Sequence, residues 1–481
     1  MADWEANVRR VVPYTPGEQP KRTDIIKLNT NECPYPPAPG VAKALQEFEA
    51  DKLRLYPDPA ALELREAIAA AVSVPEHPVA ADQVFVGVGS DDVLALAFLT
   101  FFNSKKPILF PDITYSFYDV WADLYGIPYR TPELDEKFRL KKEDYLTENG
   151  GIIFPNPNAP TGLMENLDTI EEIVAKNPDS VVIVDEAYVD FGGVSALPLV
   201  DKYENLLIVQ TFSKSRALAG MRIGFAIGQK KLISYLNDVK FSFNSYTMNR
   251  LTIACGKACV EDRAYFQEIT GKIVATREWT KQKLAELGFT FPDSKANFIF
   301  ATHKTVPAQE LFENLKTAGI YVRYFKKPRI DNYLRITVGT QAEMERLVEV
   351  LAELADFVLA EADGSRQLPL KAHAAHEPVI PENSRRVICV VGASGFGKPV
   401  RETVHRWERF CGLTGAAETE PVTPELAAKA LLAEGRCDTM LLNQIDGADR
   451  RPAAERFAAE LAGHGLRVWG GSLRLGSIFP L

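Results

Sequence analysis

Little in this chain points to membranes, nucleic acid or an oxidising compartment. No apolar run approaches the roughly 18 residues that a membrane span needs. The opening Met1-Ala-Asp-Trp-Glu-Ala-Asn-Val-Arg-Arg10 has no apolar signal core, so a cytoplasmic protein is expected. Excess basic charge is missing too. The 55 Lys and Arg face 64 Asp and Glu, and the net charge of −9 argues against nucleic-acid or anionic-membrane partners. Cysteine is scarce, with 6 in 481 residues. Cys255 and Cys259 share a helix face by their spacing, but no His or Cys pair completes a zinc site. Reduced, mostly buried thiols and no bound metal are expected. What remains is an ordinary globular composition, 46% hydrophobic and 25% charged, at a length that allows several domains.

Chemistry concentrates in Thr211-Phe-Ser-Lys-Ser-Arg-Ala-Leu-Ala-Gly-Met-Arg-Ile-Gly-Phe225. Lys214 follows the apolar run Leu206 to Val209, which places it in the turn leaving a buried strand, where it can form an imine with an aldehyde cofactor. Thr211 and Ser213 beside it, and Arg222 further on, can reach an anion near that link. The strand Val181-Val-Ile-Val-Asp-Glu-Ala-Tyr188 delivers a carboxylate, Asp185, and a phenol, Tyr188, at similar depth. An imine lysine, an acid, a phenol and an anion-binding arginine are what pyridoxal phosphate asks of a protein. Gln83-Val-Phe-Val-Gly-Val-Gly-Ser-Asp-Asp92 adds a strand, a glycine turn and a helix start. The amides of Gly89, Ser90 and Asp91 suit the same phosphate.

These motifs, with Asn156-Pro-Asn-Ala-Pro-Thr-Gly162, resemble the fold-type I aminotransferases, and within them the histidinol-phosphate aminotransferase family. The resemblance covers about residues 1–355. It implies a large α/β/α domain with a mostly parallel central sheet and a small α+β domain, with pyridoxal phosphate as cofactor. It further implies that Asp185 pairs with the pyridine nitrogen, that Tyr188 bonds the phenolic oxygen and that Tyr115 stacks on the ring. Asn158 would donate to that same oxygen, although family members often carry Asn where this chain has Ala159. The family also usually has Asn at the position of Val88. Tyr56 would cross to a neighbouring subunit's cofactor phosphate, making the enzyme a homodimer. Tyr14 would approach the substrate, Arg335 would grip a carboxylate and Arg323 would help to hold a substrate phosphate. The implied reaction is transamination of histidinol phosphate with 2-oxoglutarate, yielding glutamate. A phosphothreonine decarboxylase or an aromatic aminotransferase shares every cofactor residue.

Periodicity divides the chain into an arm (1–36, broken by prolines), a large domain (37–270), a small domain (271–355) and a C-terminal piece (356–481). In the small domain strands are expected at 297–301, 320–324 and 333–337, with helices at 307–318 and 341–355. Basic-residue usage then changes, from 24 Lys and 16 Arg up to residue 355 to 3 Lys and 12 Arg after it, with no flexible linker between. The C-terminal piece opens with an apolar strand ending in Glu361 and Asp363. It also holds Gly392-Ala-Ser-Gly-Phe-Gly-Lys-Pro399, which has the spacing of a phosphate loop. Pro399 removes both the hydroxyl and the N–H that such a loop needs next, so nucleotide binding there is not expected. Glu361-Ala-Asp-Gly-Ser, Leu370-Lys-x4-His-Glu-Pro-Val-Ile-Pro, Val404-His-Arg and Leu441-Leu-Asn-Gln-Ile-Asp446 resemble the C-terminal part of the selenium-dependent hydroxylase accessory family. That implies a partial α/β domain lacking its phosphate loop, fused to the enzyme. It leaves open a rival role for the whole chain as a maturation or binding module.

Overall fold

The computed structural model describes residues 3–20, 22, 24–354, 364–374, 376–378, 380, 384 and 386–481. The chain forms two compact units, Met1–Asp356 and Phe357–Leu481. The first begins with the arm, whose strand β1 (Ile26–Lys27) precedes helices α1 (Pro39–Gln46) and α2 (Leu62–Val72). Its main sheet contains β2 (Val84–Gly87), β3 (Ile108–Leu109), β4 (Tyr129–Arg130), β5 (Ile152–Pro155), β6 (Val182–Asp185), β7 (Leu206–Thr211) and β8 (Gly224–Gly228). The spatial order is β2-β8-β7-β6-β5-β3-β4. Only β8 runs against its neighbours; the other pairings are parallel.

The central strands are apolar throughout because both faces are covered. Alternation sends Phe154, Val184 and Ile208 to one face and Ile153, Ile183 and Leu207 to the other. The first face packs on α1, α2, α5 (Leu167–Lys176) and α7 (Arg250–Glu261). The second packs on α3 (Ser90–Phe101), α4 (Tyr118–Tyr125) and α6 (Lys230–Phe243). This is the α/β/α sandwich expected of the fold.

Helix α8 (Arg263–Glu286) leads into the small domain, its N-terminus capped by Asp262, whose Oδ1 accepts from the Tyr265 N–H at 3.1 Å. It continues without a break through position 270. The small sheet holds β9 (Phe289–Thr290), β10 (Phe298–His303), β12 (Arg323–Tyr324) and β13 (Leu334–Thr337), antiparallel in the order β12-β13-β10-β9. Helices α9 (Ala308–Thr317) and α10 (Gln341–Leu354) accompany it. The single strand expected at 320–324 is two. Its first half, β11 (Ile320–Tyr321), pairs in parallel with β1 of the arm, while β12 pairs with β13. The arm offers an edge that competes for the first two residues, and buried Val322 marks the switch.

In the second unit β14 (Leu370–Lys371) pairs with β16 (Val404–His405). A second sheet has the order β15 (Ile388–Gly392), β17 (Thr439–Asn443), β18 (Arg467–Ser472) and β19 (Ser477–Pro480). Val391, Met440 and Leu442 pack on Ala427, Leu431, Ala454 and Phe457 of helices α11 (Pro424–Glu434) and α12 (Arg451–Leu461). In the Gly392–Pro399 loop the Gly397 N–H donates to Val422 O at 2.9 Å, and the Lys398 N–H reaches Gly395 O at 3.3 Å. The helix that follows, Val400–Thr403, has 4 residues. The strand expected from Phe357, with Glu361 and Asp363, lies outside the described residues. All six cysteines are free thiols.

Candidate active site

Parallel strands present their C-terminal ends to one edge of a sheet, and ligands of such sheets bind there. Asp185 is the last residue of β6, between β5 and β7, and is 4% exposed. Its Oδ2 accepts from the Tyr118 hydroxyl at 2.8 Å and its Oδ1 from the Ala187 N–H at 3.2 Å. Burial raises this carboxyl from its usual range to about 6, and the two hydrogen bonds work against that rise. Lys214 stands three residues beyond the end of β7. Its Nζ lies 5.9 Å from the centre of the Tyr188 ring and donates to the Thr30 carbonyl at 3.2 Å.

A second group gathers at the start of α3. Arg222 Nη2 lies 3.2 Å from Asp91 Oδ2, and Nη1 lies 3.4 Å from Ser213 Oγ. The Tyr115 hydroxyl donates to Asp91 Oδ1 at 2.8 Å. Thr211 Oγ1 accepts from the Ser213 N–H at 3.1 Å, which fixes the turn. The first-turn amides of α3 have no carbonyl one turn back to bond, so they face this group as donors. Gly89 must be glycine here: its φ is +86°, and a Cβ would lie 2.4 Å from Arg222 Nη2.

The small domain contributes the third group. Arg323 and Arg335 stand directly opposite each other on antiparallel β12 and β13. Arg335 Nη2 donates to Asn29 O at 3.0 Å, while its buried Nε has no partner among the described residues. Burial, then the neighbouring Arg323, pulls this guanidinium below its usual range, while Tyr188, Tyr14 and Tyr115 oppose the shift. Two facing cations cost free energy unless an anion joins them. Tyr14 stacks on Phe117 with centroids 4.1 Å apart. Asn158 is less available. Its Nδ2 donates to Ile113 O at 3.0 Å and Thr161 Oγ1 at 3.2 Å, and its Oδ1 accepts from Thr114. Tyr56 is not among these residues in the chain: it is 75% exposed and stacks on Tyr246.

Sequence reasoning missed two side chains of the site. Asn31 Nδ2 donates to Tyr188 Oη at 2.9 Å, and its Oδ1 accepts from Thr337 at 3.0 Å. Tyr118 is fully buried against Asp185. The polar density of Leu28-Asn-Thr-Asn-Glu-Cys-Pro34 signals the first, and the aromatic cluster Tyr115 to Tyr118 the second.

The Aminotransferase class I and II family model matches residues 23–351. The chain is 52% identical over 348 residues to the histidinol-phosphate aminotransferase of Chromohalobacter salexigens, covering 72% of this chain and 97% of that protein. The chain belongs to the class I and II aminotransferases. It is also 51% identical over 350 residues to the histidinol-phosphate aminotransferase of Lactococcus lactis subsp. cremoris, covering 73% of this chain and 97% of the relative. The crystal structure of the Sinorhizobium meliloti histidinol-phosphate aminotransferase with pyridoxal-5'-phosphate shares the fold. It aligns with a TM-score of 0.62 at 22% identity, over 69% of this chain and 91% of that one. This aminotransferase uses pyridoxal phosphate. Its residues fit that cofactor: a Cβ-free cradle beside Arg222, a buried acid, and a lysine within reach of a phenol.

Proposed function

We propose that the chain transaminates L-histidinol phosphate with 2-oxoglutarate in histidine biosynthesis, as a cytoplasmic homodimer. The observation that carries the substrate choice is the Arg323–Arg335 pair, with an Nε of Arg335 that has no partner among the described residues. A substrate or donor bearing phosphate and carboxylate groups answers that charge. The relatives named for this activity, at 52% and 51% identity, support the same choice.

In this reading the Ser90 and Asp91 amides, with Thr211, Ser213 and Arg222, would hold the cofactor phosphate; the Gly89 N–H, expected to join them, donates instead to Gly87 O at 3.0 Å. Tyr115 would stack on the ring, Tyr188 would address its phenolic oxygen and Asp185 would keep its nitrogen protonated, whereas Asn158 could join Tyr188 only by giving up its bonds to Ile113 and Thr161. When bound, pyridoxal phosphate supplies an aldehyde that captures the substrate amine and a ring that withdraws the electron pair left at Cα. Lys214 holds the cofactor between turnovers, then carries the proton between Cα and C4′. Arg335 orients the carboxylate, Arg323 helps to hold the phosphate, and Tyr14 approaches the substrate. Exposed Leu53, Leu55, Tyr56, Phe243 and Tyr246 support a dimer face from which Tyr56 reaches the partner's cofactor.

Turnover of histidinol phosphate, phenylalanine and phosphothreonine measured side by side tests the proposal. Preference for phenylalanine favours an aromatic aminotransferase, and carbon dioxide release from phosphothreonine favours the decarboxylase; either refutes it. For the second unit we infer a partial α/β domain without NTPase activity, supported by loop amides already bonded within the chain. Nucleotide hydrolysis by the full chain that survives Lys214→Arg would overturn that and favour the maturation-module reading.

A further inference from the structure

Tyr118 opens α4, and its ring is held on several sides. The centroids of Phe98, Phe110, Tyr115 and Trp121 lie 6.2, 5.9, 5.8 and 6.3 Å away. The ring is fully buried among these neighbours, and its hydroxyl is presented to Asp185 Oδ2 at 2.8 Å. The other carboxylate oxygen has a backbone donor, Ala187 N–H, at 3.2 Å. Two donors on a buried carboxylate favour its ionised form over the protonated one.

The choice of a phenol as donor has a consequence. An arginine or lysine in this place would also hold the carboxylate, but would cancel its charge. A neutral hydroxyl stabilises the anion and leaves its full negative charge for whatever faces the free side. The phenol keeps its own proton, because burial first, and the Asp185 charge second, push it well above its usual value.

We propose that Tyr118 is a positioning residue for the reaction, fixing the Asp185 carboxylate in its charged form so that it can hold the cofactor's ring nitrogen protonated. This rests on the reading that Asp185 faces that nitrogen. In this reading Tyr118 acts through Asp185 alone.

The test uses the full-length enzyme reconstituted either with pyridoxal phosphate or with its 1-deaza analogue, in which carbon replaces the ring nitrogen. With the natural cofactor, Tyr118→Phe should lower kcat about tenfold, the size of a lost hydrogen bond to a charged group. The pH at which the cofactor's visible band titrates should also move upward. With the deaza analogue, parent and variant should turn over alike. An equal loss with both cofactors would mean that the hydroxyl serves packing, and no loss with the natural one would mean that it serves nothing; either overturns the proposal. The Asp185→Asn/Tyr118→Phe double variant removes the buried charge and guards against misfolding of the single one. It should be no slower than Asp185→Asn, and an additive further loss refutes action through Asp185. If Asp185→Asn itself leaves kcat and the band unchanged, the assignment of Asp185 falls instead.

Discussion

The buried acid that serves the cofactor should weaken the protein when the cofactor is gone. Asp185 is 4% exposed and its carboxyl titrates at about 6, above the unfolded value of 3.8. The folded state therefore binds more protons than the unfolded state between these values, and stability falls as pH rises through that window. At 1.36 kcal/mol per pKa unit, the cost at pH 8 is on the order of 3 kcal/mol. Asp185→Asn removes the charge but must satisfy an amide against Tyr118 Oη, which returns about 1 kcal/mol of that cost. Cofactor-stripped Asp185→Asn protein should therefore be more stable than its parent at pH 8 by roughly 2 kcal/mol, and scarcely different at pH 4. Urea unfolding followed by tryptophan fluorescence reads this, since Trp121 packs beside Tyr118. An advantage independent of pH, or a less stable variant at pH 8, would refute the reasoning. The same variant should transaminate slowly, so one substitution separates what the acid costs the fold from what it gives the reaction.

Lys214→Arg should abolish transamination and the visible cofactor band while leaving thermal unfolding close to that of the parent. Full-speed amino-group exchange in that variant would refute the lysine assignment. Arg222→Ala should weaken cofactor retention about 10- to 100-fold, the worth of one hydrogen bond to a charged group, read by equilibrium dialysis. Lys240 is a buried lysine whose Nζ donates to Pro59 O at 3.0 Å; burial pulls it down to about 8. Its charged form is a cost fully present below pH 8 and relieved towards pH 10.5. Lys240→Met should therefore gain about 1 kcal/mol at pH 7 and less at pH 10 in urea unfolding.

The positions of Lys214 and Asp185 were legible because each ends a continuous apolar run, and a run buried on both faces can only be an inner strand. The turn after β2 was legible through Gly89, and the face of Arg335 through its alternation with Leu334 and Ile336, but the pairing of Arg335 with Arg323 was not. Pairings between distant segments were not. Tyr118 meets Asp185 across 67 residues and Asn31 meets Tyr188 across 157, and neither residue type demands such a partner. The split of 320–324 was hidden for the same reason, since β1 lies far away in sequence. Nor could spacing show that Asn158 would spend its amide on Ile113 and Thr161.

Three consecutive arm residues bring the distant groups together. Asn29 offers its carbonyl to Arg335, Thr30 offers its carbonyl to Lys214, and Asn31 bonds Tyr188. Asn31 also accepts at its carbonyl from Asn297 Nδ2 at 3.0 Å and receives Thr337. It sits at φ +56°, a left-handed conformation that asparagine tolerates better than most residues. That turn lets neighbouring groups point to different domains: Tyr188 and Lys214 belong to the large one, Arg335, Asn297 and Thr337 to the small one. One short segment thus carries hydrogen bonds to Lys214 and Tyr188 on one side and to Arg335, Asn297 and Thr337 on the other.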